Sequence, residues 1–323
     1  MIKTMQQNAW RRRGMVIPAT VCALVGLFPT GVLAGHAAFN VCKNTSEQLL
    51  QACQFEARDD ERVGFAICLN MSQGPALRDC FQSVHTTRAE STLACKEVRQ
   101  ARNQVCAKMG SGPYDPVIDP AKFVPTITNP YTPLQAGRFW VYEKQTEAGL
   151  EQIRIEVLPE TRVIAGVTVT VVHDLVTLND VVIEDTLDWV AQDVNGDVWY
   201  LGEIVKNFED GQLANLNGSF ETGKDSAKPG FWMRGKPKVG EVYRQEFALG
   251  NAEDVVEVMS LDAQDTTVPF SANATGPILK TRDTTPLSPG AVEFKYYVPG
   301  VGFALEVKPE TGERLELVDY GPR

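Results

Sequence analysis

The densest run of side chains able to do chemistry lies between residues 184 and 203. Glu184, Asp185, Asp188 and Glu203 bracket Trp189, Trp199 and Tyr200, and Asn195-Gly196 interrupts the run. Asn-Gly between β-type runs predicts a two-residue hairpin turn. That turn pairs residues whose numbers sum to 391, so Asp188 faces Glu203, Val190 faces Leu201 and Gln192 faces Trp199 on one surface. Trp189, Ala191, Tyr200 and Gly202 then share the other surface. Two carboxyls side by side in a dry place need a cation, a basic partner or a shared proton. Paired acids beside an aromatic ring suit a general acid and base acting on a glycan, and equally a ligand-binding surface. The candidate ligand or catalytic residues are therefore Asp188, Glu203, Trp199 and Glu246, with Glu184 and Asp185 as further acids. The blander reading is an acidic pair neutralised by Arg154, Arg244 or Lys206, or simply solvated.

Asp193, Asn195 and Asp197 space their oxygens like the start of a calcium loop. Counted from Asp193, the sixth residue is Val198 where such a loop needs Gly, and the twelfth is Ile204 where it needs Glu. A hairpin tip without cofactor is the expectation, with calcium at Asp193, Asn195 and Asp197 as the alternative. Only three His occur in 323 residues. His173 and Asp174 are neighbours on a β run and point to opposite faces, so they form no dyad. His85 falls in a helical segment and reads as a surface residue. No Gly-x-Ser-x-Gly elbow, His-Glu-x-x-His pair, Walker loop or dinucleotide fingerprint is present. A serine or cysteine hydrolase is not expected on these grounds, and the residues lean away from an enzyme without deciding it.

Six of the seven Cys, at 42, 53, 68, 80, 95 and 106, are separated by 10, 14, 11, 14 and 10 residues, the same in either direction. The centre is Gly74 in Ser72-Gln73-Gly74-Pro75, a turn signal. The flanking segments, 46–71 and 76–109, are rich in helix formers and free of internal proline. Cysteines 11 and 15 residues apart return to one helix face after three and four turns. Two antiparallel helices folded at Gly74 would bring together Cys42–Cys106, Cys53–Cys95 and Cys68–Cys80. Leu50, Ile67, Phe81, Val84, Leu93 and Val98 are expected to pack between these rungs. A two-helix arm has almost no interior, which is the physical reason for staples.

Lys3 and Arg11-Arg12-Arg13 precede an uncharged stretch from Gly14 to Leu33 that ends in Val32-Leu33-Ala34. This is the pattern of a signal peptide over residues 1–34, implying export to the periplasm or outside the cell. His36 stands where a lipoprotein would need its Cys, so no lipid anchor is expected, and no later segment could span a bilayer as a helix. Losing the four basic residues of the leader moves the net charge from −10 to −14. So acidic a chain is not a nucleic-acid binder.

Residues 35–109 form the expected hairpin, and residues 110–137, with six prolines, an extended strap lying partly against a domain. From residue 138 to 323 short β-branched and aromatic runs alternate with Gly, Pro, Asn and Asp. Eleven strands are expected, near 138–146, 150–157, 167–178, 181–192, 198–205, 241–247, 255–259, 278–281, 292–298, 303–308 and 314–318. The fold class is α+β: a disulfide-stapled antiparallel helical hairpin followed by a mainly antiparallel curved β-sheet, as a half-barrel or sandwich.

Within that domain, Asp185-Thr-Leu-Asp-Trp189, Asp197-Val-Trp-Tyr-Leu-Gly-Glu203, Tyr243-Arg-Gln-Glu246, Ala252-Glu-Asp254 and Glu293-Phe-Lys-Tyr-Tyr-Val-Pro-Gly-Val-Gly302 resemble an uncharacterised family of secreted bacterial β-domain proteins. Pro113-Tyr-Asp-Pro-Val-Ile-Asp-Pro120 in the strap fits the same likeness. The resemblance implies a secreted β domain and carries no catalytic residues. The closing Tyr-Val-Pro-Gly-Val-Gly is more loosely similar to half-barrel envelope proteins that hold lipids on a concave sheet. The expected function is a secreted, non-enzymatic binding module holding an apolar or glycan ligand on a concave β surface, with the hairpin as docking arm. Its partners would be a lipid, a glycan or an envelope protein. A carboxylate-dependent glycan-active enzyme and a structural envelope protein are the alternatives.

Overall fold

The computed structural model describes residues 39–265 and 267–322. The leader and its cut after Ala34 lie outside the described residues. Helix α1 (Val41–Leu69) starts on Asn40, whose side chain accepts from the Lys43 amide. Helix α2 (Pro75–Met109) has proline in its first turn, where no amide is needed, and stops at Gly110. Three disulfides join them, Cys42–Cys106, Cys53–Cys95 and Cys68–Cys80, with Cα atoms 5.7, 5.8 and 5.7 Å apart.

Packing between the rungs departs from the expectation. Leu50 and Val98 are buried, but Ile67 and Leu93 point outward, 62% and 57% exposed. The staples hold the helices so close that small residues fill the seam. Ser46 and Ala57 are buried there, and a Cβ on Gly64 would lie 2.8 Å from Val84 Cγ2. No helix among the described residues is long and apolar enough to cross a membrane.

The rest is one antiparallel sheet. Its strands are β1 (Phe123–Val124), β2 (Arg138–Thr146), β3 (Gly149–Ile164), β4 (Val167–Leu178), β5 (Val181–Asp193), β6 (Val198–Glu209), β7 (Gln212–Asn215), β8 (Phe220–Glu221), β9 (Gly230–Met233), β10 (Val242–Arg244), β11 (Val255–Ser260), β12 (Leu279–Thr284), β13 (Val292–Val298), β14 (Gly302–Val307) and β15 (Arg314–Pro322). Neighbours run β10-β11-β12-β13-β14-β15-β2-β3-β4-β5-β6-β7, with β1 on β5 and β8 and β9 on β6. The chain thus meanders to β15 and returns to pair β15 with β2. The sheet is large, antiparallel and not closed, as the α+β expectation requires.

One face gathers a large core, including Tyr142, Ile153, Val172, Val190, Tyr200, Leu279, Tyr297 and Leu305. Strands from both ends of the order meet in it, so the sheet curls around that face. The outer face carries a smaller cluster of Ile164, Val169, Val171, Trp189 and Leu201, covered by Ile118 and Phe123 of the strap. Gln192 Oε1 accepts from the amides of Thr128 (2.7 Å) and Asn129 (2.8 Å) and pins the strap to the end of β5. The arm meets the β domain through Arg102, which forks onto Glu253 at 2.6 and 2.8 Å.

Candidate functional site

Asp188 and Glu203 do face each other across β5 and β6, but the register between them and the tip differs from the expectation. The tip is a three-residue loop. Gly196 alone takes positive φ (88°), and the Asp193 amide donates to the Asp197 carbonyl, so pairs sum to 390. Val190 therefore faces Tyr200 and Gln192 faces Val198. A bulge at Leu201–Gly202 then adds one residue, which restores 391 at Trp189–Gly202 and Asp188–Glu203. Gly202 has φ 150°, and a Cβ there would strike the Phe220 carbonyl oxygen, so glycine is required.

The one-residue offset exchanges two aromatics. Tyr200 turns to the inner face and its hydroxyl donates to Asp188. Trp199 turns to the outer face, away from the acids. There it packs on Phe231 and Phe123 and donates from Nε1 to Asp193 Oδ2 at 3.2 Å. Trp199 is thus removed from the acidic site. Glu246 is fully buried and close enough to raise the Tyr200 pKa, together with Asp188 and Glu203, behind the larger effect of burial.

Asp174 was not among the expected site residues. Its side chain is fully buried on the same inner face, and burial followed by the charges of Asp188, Glu184 and Glu203 pushes its pKa well above the usual range. The signal for it was present: Val172, Asp174 and Val176 alternate inward along β4, so a carboxyl sits in the apolar phase of the strand. His173, on the outward phase, meets Asp185 at 3.2 Å, and Lys206 lies 3.3 Å from the same carboxylate. Asp185 is therefore an outer-face group. Glu184 accepts from the Thr186 hydroxyl at 3.0 Å. Arg154, Arg244 and Lys206, named as possible neutralisers, lie elsewhere. Arg154 pairs with Glu156, Lys206 with Asp185, and Arg244 stacks on Phe247.

At the Asp193–Asp197 tip the carboxylates serve the turn. Asp193 Oδ1 accepts from the amides of Asn195 (2.8 Å) and Asp197 (3.1 Å), and Asp197 meets Arg234 at 3.0 Å and the Gly235 amide at 2.7 Å. Among the described residues no group of three or more His, Cys, Asp or Glu is arranged to hold a metal ion.

A cavity of about 510 Å³ adjoins the acids where β6 passes from β8 to β7. Here the ladder is broken, and the Ser219 hydroxyl substitutes for a strand by accepting from the Val205 amide at 2.8 Å. Glu203, Trp189, Phe220, Glu221, Asn217 and Asn251 contribute to its wall. Glu221 is held by Arg162 and Lys224, and the Arg162 guanidinium lies 4.1 Å over the Trp189 ring. Of the expected residues, only Glu203 reaches this cavity.

No family model matches this chain, and no curated protein matches it. One solved structure is similar over part of its length: a protein titled "putative lipoprotein" from Parabacteroides distasonis ATCC 8503. It is 12% identical, with 59% of this chain and 98% of that one covered and a TM-score of 0.29.

Proposed function

We propose that the protein is an exported, non-enzymatic binding module that holds a polyhydroxylated, glycan-type ligand in the cavity beside Glu203. The observation that carries this reading is the composition of that wall: an indole, three carboxylates and two carboxamides around one space of about 510 Å³. Ligand sites are concave and largely apolar, with a few polar groups that fix orientation. Carboxylates and amides supply the paired acceptors and donors that sugar hydroxyls require. The three disulfides suit an oxidising compartment outside the cytoplasm.

A glycan-active enzyme is the second reading, because Glu203 and Glu221 lie on adjacent strands and both border the cavity. Glycan-array binding with Trp fluorescence titration separates the two. A binder loses at least about tenfold in affinity in Glu203→Gln, equivalent to about 1.4 kcal/mol, and leaves the bound glycan intact. Cleaved product that vanishes in Glu203→Gln would replace binding by catalysis. Binding only of fatty acids or phospholipids would overturn the glycan assignment.

A further inference from the structure

A second, smaller cavity of about 80 Å³ lies at the junction between the arm and the β domain. From the arm it is walled by Thr45, Leu49 and Arg102, and from the β domain by Arg244, Phe247 and Glu253, with Tyr114 of the strap. Two guanidiniums here share one carboxylate. Glu253, 1% exposed, gives Oε1 to Arg102 Nη2 and to the Gly250 amide, and Oε2 to Arg102 Nε. Three of its acceptor positions are thereby taken by Arg102 and the backbone, and it acts on Arg244 through its charge. Arg244 is 8% exposed, and its Nε and Nη1 have no hydrogen-bond partner. Its guanidinium rests on aromatic faces, 4.4 Å from the centre of Phe247 and 5.6 Å from that of Tyr114. The Tyr114 hydroxyl donates to the Pro229 carbonyl and offers no anion.

The junction therefore carries one net positive charge in a nearly dry place. A buried guanidinium with idle donors is unfavourable unless an acceptor reaches them, and a carboxylate can do so along the edge that Nη2 shares with Nε or with Nη1. We propose that this cavity is a carboxylate site, taking a small monoanion whose carboxylate pairs with Arg244 and whose short apolar part lies between Phe247 and Leu49. The volume sets the size, since one water needs about 10–15 Å³ of such space and the cavity holds roughly six heavy atoms. Because its walls come from both bodies, an occupant ties the arm to the β domain. A free short-chain acid and the end of a peptide chain share this chemistry.

The test uses the mature protein and ¹⁹F NMR of trifluoroacetate, with acetate, propionate, acetyl-alanine and chloride as competitors at constant ionic strength. Trifluoroacetate should broaden on binding and sharpen again with acetate or propionate but not with chloride. The melting temperature should rise by about 2–4 °C in saturating acetate. Stronger competition by acetyl-alanine than by propionate assigns the peptide-end source, and the reverse assigns the free acid. Arg244→Met should abolish both effects. Should that variant fold poorly, Thr45→Leu fills the space from the arm, leaves Arg244 in place and should abolish them too. Broadening that is absent from the wild type, that persists in both variants, or that chloride reverses as well as acetate does, would overturn the site.

Discussion

At the scale of single residues, the inner face of the sheet is unusual for the acids it keeps dry. Asp174, Asp188, Glu203 and Glu246 are all at most 2% exposed. Asp174 has a testable consequence. Burial first, and its acidic neighbours next, raise its pKa above the ordinary 3.8, so the folded protein keeps this proton to higher pH than the unfolded chain does. Stability from that proton is complete below about 3.8 and is lost as pH rises through the raised value. Asp174→Asn keeps the shape and removes the titration. The variant should be more stable than the wild type at pH 7, and the gap should close towards pH 4. Urea unfolding at a series of pH values measures it. A gap that widens on acidification would refute the assignment. Elsewhere on this face Lys295 holds Asp283 and Glu293 at 3.2 and 3.3 Å, and burial raises the Asp283 pKa against the opposing charge of Lys295.

At the scale of elements, the Leu201–Gly202 bulge decides which aromatic sees the acids. Gly202→Ala would drive a methyl into the Phe220 carbonyl and detach β8 from β6. We expect a loss of about 2 kcal/mol or more, with loss of ligand binding at the adjoining cavity. Thermal melting and the Trp fluorescence titration read the two effects, and an unchanged melting point would discount the bulge. The same hairpin shows what a sequence can and cannot disclose. The facing of Asp188 and Glu203 was legible because Asn-Gly and alternation fix a turn near 195. The face of Trp199 was not, because a three-residue loop and a bulge each shift the register by one and cancel only beyond Gly202. All eleven expected strands occur, three with identical bounds, because long β-branched runs are self-evident. The short strands β1, β7, β8 and β9 exist only through pairing with β5 or β6, and no local pattern announces them. The cysteine symmetry matches the three bonds, yet it could not show that Ile67 and Leu93 face solvent. That follows from how closely the staples draw the helices.

For the whole molecule, the central question is how the arm is held. Arg102 and Glu253 form the most buried link between the two bodies, with Lys108–Glu257 at 2.6 Å as a more exposed second link. Arg102→Leu strips both fork hydrogen bonds from the buried Glu253 carboxylate, leaving Arg244 as its neighbouring cation, and should cost about 1–3 kcal/mol. Limited proteolysis near residues 110–113 should accelerate with it. The double variant Arg102→Leu, Glu253→Gln should recover most of the loss. Equal instability of single and double variants would mean the pair does not carry the junction.

The stapled helices have one more consequence. Arg102 lies 27 residues from Pro75 along α2, a distance of about 40 Å at 1.5 Å per residue. Three covalent rungs keep that length from bending, so rotation at the junction reaches the far end undiminished. A tilt of about 10° at Arg102 would carry the Gly74 turn through about 7 Å. The arm is in effect a pointer, and whatever occupies the space beside Arg244 sets where it points.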